Sequence, residues 1–426
     1  MVELSKCQEK VLEAFKTHRG HITIRGPAGV GKSFITKYLI DSCEDKNGIF
    51  LATPTHQAKI VLAKMSGLGV STLHSLLKIH PQTYEEVRTF EQNGDPELQD
   101  CRLLFIDEAS MVDDDLFAIL MQSIHPHCRI VAIGDYHQLQ PVKHEAGKIS
   151  PFFLDERFLQ VEMTTILRQA ADNPIIQVAT GIREGGQLYH LTKQGKGVFN
   201  LPDLRTYFKL FFTKVKQPDD LLNFRMLAFT NDIVDKCNTA IRSEIYKTEE
   251  PYVPGEYLVL QQPVVIKEKY KGIEVVETLF NNGQIVQIED LRKEVFQLNL
   301  PLAGKRPVNM YQLMCRDLET NEVKPMKVLA GIEDKIELSD YLNQAAQLFK
   351  GSTSKYKKAM WNQFWTLKDT FAETKPLGAN TVHKSQGITL TGCLYYTRDK
   401  SYTDYAIQQQ LDYVACTRPT DFLAYM

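Results

Sequence analysis

Gly26-Pro27-Ala28-Gly29-Val30-Gly31-Lys32-Ser33 is a complete G-x-x-x-x-G-K-[ST] run. The preceding His21-Ile22-Thr23-Ile24 reads as a short buried strand, and Phe34-Ile35-Thr36-Lys37-Tyr38-Leu39-Ile40 continues as an amphipathic helix, the context a phosphate loop requires. Small residues let backbone N–H groups converge on phosphate oxygens at a positive helix N-terminus. Lys32 then reaches the β/γ-phosphates, and the Ser33 hydroxyl is placed to bind Mg²⁺. Nucleotide binding is expected; what it drives must come from elsewhere, because this loop serves many functions.

At 426 residues the chain is too long for one ordinary core, and about three domains are expected. A composition of 43% hydrophobic and 24% charged residues is that of an ordinary globular protein. No run of about 18 apolar residues and no signal-peptide core occur, so a cytoplasmic protein without a membrane partner is expected. The eight cysteines are scattered with no C-x-x-C pair, which argues against a disulfide framework or a zinc ribbon. His125, His127 and Cys128 lie close together but lack an evident fourth ligand, and are read as a loop. With a net charge of −2, a nucleic-acid partner would need a local basic groove.

Upstream of the loop, Ser5 to Gln8 fits an S-x-x-Q capping box. Gln8 is also placed to read an adenine, and both readings stand. Ile49-Phe50-Leu51-Ala52 is a buried strand running into Thr53-Pro54-Thr55-His56-Gln57-Ala58, and Ser71-Thr72-Leu73-His74 repeats that polar theme before another helix. Loops after parallel strands are where α/β sheets bind ligands. Between Pro81 and Pro96 a strand-like stretch with Phe90, followed by the turn dipeptide Asn93-Gly94, suggests a small hairpin.

Leu103-Leu104-Phe105-Ile106-Asp107-Glu108 is an apolar strand ending in two carboxylates. Asp107 is expected to hold the Mg²⁺ shell and Glu108 to orient and activate the attacking water. Gly134-Asp135-Tyr136-His137-Gln138 follows the next strand, with Gln138 placed to sense the γ-phosphate. Arg168 is a candidate for neutralising charge developing there. Met226 to Asn231 begins a second strand-to-helix unit. From about Pro251 to Val328 the pattern alternates as in a small β-barrel, and a helical stretch to Phe371 carries Trp361, Phe364 and Trp365 at core spacing. Asn380 to Thr389 and Tyr413 to Arg418 return to α/β character, and Arg418 reads as an arginine finger if a second nucleotide-binding wall exists.

In this order GPAGVGKS, ATPTHQA, STLHSLLK, FIDEAS, GDYHQLQPV, ILRQ, NTVHKSQGITL and YVACTR resemble the motifs of superfamily 1 helicases, most closely the phage Dda-type, RecD-like 1B branch. The resemblance implies two RecA-like P-loop domains (1–80 with 97–172, and 173–250 with 376–426), a pin hairpin (81–96), and an SH3-like β-barrel with a helical arm (251–375). It implies an ATPase site of Gly26, Pro27, Ala28, Gly29, Val30, Gly31, Lys32, Ser33, Asp107, Glu108, Gln138, Arg168 and Arg418, with Gln8 on adenine and ATP and Mg²⁺ as cofactors. Pro54, Thr55, His56, Thr72, His74, Thr381, His383 and Lys384 would face DNA, with Phe90 near the tip of the pin. The implied activity is 5′-to-3′ translocation on single-stranded DNA and unwinding of forked duplexes, by a monomer in the host cytoplasm during phage replication or recombination, alongside single-strand-binding or replication proteins. RNA unwinding, or protein displacement with little unwinding, are the rival activities. Pro419 follows Arg418 where the family often has glycine, which restricts the turn there.

Overall fold

The computed structural model describes residues 4–84, 87–92, 95–139, 149–166, 172–270, 273–353 and 355–426, with backbone alone at 80–84, 87–92, 267–270 and 273–276. The chain divides into two compact units: residues 1–79, 92–239 and 378–426 form the first, and 80–91 with 240–377 the second.

The first unit holds two six-stranded sheets. Strands β1 (His21–Arg25), β2 (Ile49–Thr53) and β3 (Ser71–Thr72) precede a separate two-stranded pair, β4 (Ile79–Tyr84) and β5 (Val87–Gln92). Next come β6 (Leu103–Ile106), β7 (Arg129–Gly134) and β8 (Phe158–Glu162), giving a sheet of order β3-β2-β6-β7-β1-β8. Its strand pairings are all parallel. Alternate side chains point to opposite faces of a strand, and here both faces are dry. Leu104, Ile106, Ile130 and Ala132 pack on one side with Leu116 and Leu120, while Phe105, Val131 and Ile133 pack on the other with Val11, Ile35 and Leu39. Two-faced burial explains why these strands read as continuous apolar runs.

β9 (Leu191–Lys193), β10 (Lys196–Asn200) and β11 (Phe224–Ala228) belong to the second sheet. Before that sheet is completed, the chain builds the second unit from β12 (Tyr257–Leu260), β13 (Val264–Tyr270), β14 (Ile273–Phe280), β15 (Ile285–Leu300), β16 (Gly304–Asp317), β17 (Val323–Leu329) and β18 (Thr374–Pro376). The order β17-β16-β15-β12-β18 forms a five-stranded antiparallel sheet beside the β13-β14 hairpin. A register shift between Ile288 and Asp290 separates two uses of the long strands. Val286, Ile288, Leu313 and Cys315 fill the barrel, whereas Leu298, Leu300, Val308 and Met310 pack under helices Ile332–Gly351 and Lys357–Lys368. Trp361, Phe364 and Trp365 are buried in that second cluster, so the aromatic spacing is core.

β19 (Ala379–Thr381), β20 (Leu390–Tyr395) and β21 (Pro419–Tyr425) complete the sheet β19-β11-β20-β21-β10-β9. Pro419 opens β21, a position where a missing N–H is tolerated. Leu139, from just beyond β7, is buried in this second sheet's cluster with Leu227, Val382 and Val414.

β4 ends at Tyr84 and β5 begins at Val87, while the expected turn at Asn93-Gly94 lies outside the described residues. Phe90 therefore lies within β5. Val87 to Phe90 carry the alternating β-formers that favour a strand there.

Candidate functional site

Three neighbouring parallel strands, β1, β7 and β6, bring their carboxyl ends together. From β1 comes the phosphate loop. Gly26 is obligatory there, since a Cβ would stand 2.6 Å from the Met163 carbonyl oxygen. Gly31 caps helix Lys32–Asp41 in the left-handed region at φ 81°, which turns successive amides toward one point. Lys32 Nζ donates to the carbonyl oxygens of Gly26 at 2.6 Å and Pro27 at 3.0 Å. Ser33 is exposed at the start of the helix.

From β6 come the two carboxylates. Glu108 adopts φ 55°, an uncommon conformation for a residue with a Cβ and one that accumulates at functional sites. Its N–H donates to Asp107 Oδ1 at 2.9 Å. Burial, and then the charge of Glu108, push the Asp107 carboxyl up to about 7, against the opposing pull of the Glu108 N–H and Lys32. A hydroxyl and a carboxylate short of positive charge are hard oxygen donors of the type Mg²⁺ takes, so Ser33 and Asp107 fit that ion.

β7 supplies the third element. Asp135 Oδ1 accepts the His137 N–H at 3.1 Å, and the Gln138 N–H donates to the Asp135 carbonyl oxygen at 3.1 Å. This turn holds the buried Gln138. Arg168 lies outside the described residues.

The second sheet meets this edge at several points. Tyr413, on helix Tyr405–Cys416, accepts the Ala28 N–H at 3.1 Å and donates to Asp135 Oδ2 at 2.5 Å. Gln386 Nε2 donates to the Leu139 carbonyl oxygen at 3.0 Å. Arg418 is buried; its guanidinium donates to the carbonyl oxygens of Val414 at 3.1 Å and of Ser385 and Ile388 at 3.4 Å. These contacts are with helix Tyr405–Cys416 and the Ser385–Ile388 turn, on its own side of the edge. Neither Tyr413 nor Asp135 carries a local signal of this role, since only folding brings them together.

Gln8 caps its own helix. Oε1 accepts the Ser5 N–H at 3.0 Å, the Gln8 N–H donates to Ser5 Oγ at 3.4 Å, and Nε2 is buried without an acceptor among the described residues. The capping reading is thus correct, and it leaves a donor over.

The expected DNA-facing residues fall at carboxyl ends of strands in both sheets. β2 and β3 pair through Thr53 and Thr72, so the Pro54-Thr55 and Thr72-His74 turns are adjacent. Thr55 and Thr72 accept from Ala58 N at 3.3 Å and Ser75 N at 3.2 Å. His74 is exposed and His56 is buried. In the second sheet Thr381 Oγ1 accepts the Lys384 N–H at 3.3 Å. Lys384 is exposed, and the part-buried His383 ring lies 6.0 Å from Phe229. Burial lowers the His383 pKa.

Away from this edge, the His125 and His127 rings stand 5.1 Å apart, while Cys128 meets Cys101 at 3.6 Å. Among the described residues, no helix is long and apolar enough to cross a membrane.

A phosphate loop, a paired-acid strand end and a glutamine turn, met by a second, mostly parallel sheet with one antiparallel edge strand, define a two-sheet P-loop nucleoside triphosphatase. Residues 249–376 match the family described as Dda helicase SH3 domain, and residues 3–196 match the family described as AAA domain. The ATP-dependent DNA helicase dda of Enterobacteria phage T4 is 39% identical over 418 residues, 96% of this chain and 94% of that one. The ATP-dependent RecD2 DNA helicase of Deinococcus radiodurans is 36% identical over 183 residues, 43% of this chain and 24% of that one. A Pif1 helicase from Bacteroides, crystallised with ADP-AlF3 and single-stranded DNA, shares the fold at TM-score 0.53 and 20% identity, over 100% of this chain and 92% of that one. The chain belongs to the Dda family of ATP-dependent DNA helicases.

Proposed function

We propose that the chain translocates 5′ to 3′ on single-stranded DNA and splits forked duplexes, with ATP hydrolysed at the edge where β1, β6 and β7 meet the second sheet. The observation that carries this reading is the convergence of Lys32, Asp107, Glu108 and Gln138 at that edge, with Tyr413 reaching in from the opposite sheet.

In this reading Lys32 leaves the Gly26 and Pro27 carbonyls for the β/γ-phosphates, and Ser33 and Asp107 hold Mg²⁺. The ion supplies charge neutralisation on the phosphate oxygens. Glu108 orients the attacking water, and Gln138, held by the Asp135 turn, senses the γ-phosphate. Arg168 and Arg418 neutralise charge developing on it, for which Arg418 must give up the Ser385 and Ile388 carbonyls. The Nε2 of Gln8, which has no acceptor among the described residues, suits a ring nitrogen of adenine.

The strand-end turns bearing Pro54, Thr55, His56, Thr72 and His74 in the first sheet, and Thr381, His383 and Lys384 in the second, form two grips on the DNA backbone. Such contacts are sequence-independent. Residues 1–80 with 97–172 and 173–250 with 376–426 are the two motor domains, 81–96 is the pin and 251–375 the barrel with its arm. The protein acts as a monomer in the host cytoplasm. Duplexes with a 5′ or a 3′ single-stranded tail test the reading: unwinding is expected from the 5′ tail, and unwinding from the 3′ tail alone would reject the polarity. Stronger ATPase stimulation by RNA than by DNA would overturn the choice of nucleic acid.

A further inference from the structure

We infer that the Tyr413 hydroxyl and a nucleotide phosphate oxygen compete for the Ala28 N–H, so that filling the phosphate loop is felt directly by helix Tyr405–Cys416 of the second sheet. The inference rests on the reading of Gly26 to Ser33 as the nucleotide site. Ala28 lies in the middle of that loop, just before Gly29, whose φ of 83° turns consecutive amides into an anion-binding concavity. A single N–H directed at a phosphate oxygen cannot also keep a phenol at 3.1 Å with full strength.

The phenol is well suited to this exchange. Tyr413 and Asp135 are 2% and 1% exposed, so their 2.5 Å bond is shielded from water and strong. Burial, and then the Asp135 charge, raise the Tyr413 pKa far above its ordinary value, which keeps the hydroxyl a donor toward Asp135 and its oxygen an acceptor toward Ala28. A cavity lined by Gly26, Pro27, Asp135, Glu162 and Arg183 lies beside the loop and the Asp135 carboxylate. Lys32 shows the same pattern, since its ammonium sits on two loop carbonyls that a phosphate must outbid.

Two consequences distinguish exchange from simple bracing. Nucleotide entry costs the Ala28–Tyr413 bond, so the loop binds nucleotide less tightly than its amides alone would allow. Release of Tyr413 also changes what Asp135 Oδ2 holds, while Oδ1 still closes the turn that carries Gln138. Tyr413 is a positioning residue: it touches the loop and the Gln138 turn and moves neither proton nor phosphoryl group.

The test titrates the full chain with a fluorescent ADP derivative, with and without an oligo-dT strand, and follows ATP turnover in parallel. Tyr413→Phe removes the competing acceptor. Nucleotide affinity without DNA is expected to rise about three- to tenfold, the fold-change equivalent to one net hydrogen bond, while stimulation of turnover by DNA falls. Unchanged or weaker affinity in a folded Tyr413→Phe protein overturns the exchange. Should that variant fail to fold, Asp135→Asn decides: a weaker phenol anchor must shift affinity in the same upward direction, and a loss of affinity overturns the inference. Lys32→Ala is the control for the site itself, because wild-type nucleotide affinity in that variant would reject the loop as the nucleotide site rather than the exchange.

Discussion

Gln8 accepts the Ser5 N–H through Oε1 at 3.0 Å, and its Nε2, buried on the same side chain, meets no acceptor among the described residues. One end of the amide is thus committed to the cap, and the other keeps a donor. Gln8→Glu keeps an S-x-x-E cap and replaces the spare donor with an acceptor. The expected outcome is a melting midpoint within a few degrees of wild type and a fall of about tenfold or less in preference for ATP over GTP, the scale of one hydrogen bond. Nucleotide-competition kinetics measure it, and unchanged base preference would leave Gln8 a cap alone.

Lys32 Nζ donates to the Gly26 and Pro27 carbonyls. Lys32→Ala is expected to lower DNA-stimulated ATP turnover by roughly 100-fold or more, the scale for losing a preorganised charge at a phosphoryl site. Thermal denaturation should be little altered. Full turnover in this variant would refute the site assignment.

Arg418 ties the end of helix Tyr405–Cys416 to the Ser385–Ile388 turn through three carbonyls. Arg418→Ala leaves those acceptors buried, so a loss of about 2–4 kcal/mol in unfolding free energy should accompany the loss of turnover. Urea denaturation beside steady-state ATPase separates the effects. A turnover loss with an unchanged denaturation midpoint would assign the side chain to the nucleotide alone.

Arg242 bonds the fully buried Glu256 through Nε at 2.6 Å and Nη2 at 3.1 Å. Arg242→Ala strands a buried carboxylate, and a destabilisation of about 3–5 kcal/mol is expected at pH 7. Burial already raises the Glu256 pKa despite Arg242, and losing the arginine raises it further. An acid whose folded pKa exceeds its unfolded value contributes stability that is lost as pH rises through the folded pKa. The deficit of the variant should therefore be smaller at pH 5 than at pH 7, as denaturant midpoints at the two values will show.

Phe90 lies in β5, one strand of the short pair that joins the second unit. If that pair is the wedge, Phe90→Ala slows strand separation on a forked duplex more than it slows ATP turnover on single strands. Equal losses in both assays would sink the idea.

Short-range order was legible in the residues because its causes are local. The phosphate loop, the apolar strands before Asp107 and Asp135, the Ser5–Gln8 cap and the core spacing of Trp361, Phe364 and Trp365 each depend on neighbours within about one helical turn or one strand. The boundaries of the short pair were not legible in the same way, since the local pattern runs through Thr83 to Phe90 as one strand-like stretch, whereas β4 ends at Tyr84 and β5 begins at Val87.

The sequence by itself thus determined the chemistry at the strand ends: a loop built for phosphate, two acids, a glutamine turn, and hydroxyls at the starts of helices. Only the tertiary structure decided which groups face one another. Ala28 and Tyr413 are 385 residues apart, and Tyr413 and Asp135 are 278 apart. Nothing in local periodicity records that pairing. It arises because two mostly parallel sheets bury their own faces and the elements at their strand ends then meet, where a hydrogen bond sealed from water depends on the packing of both.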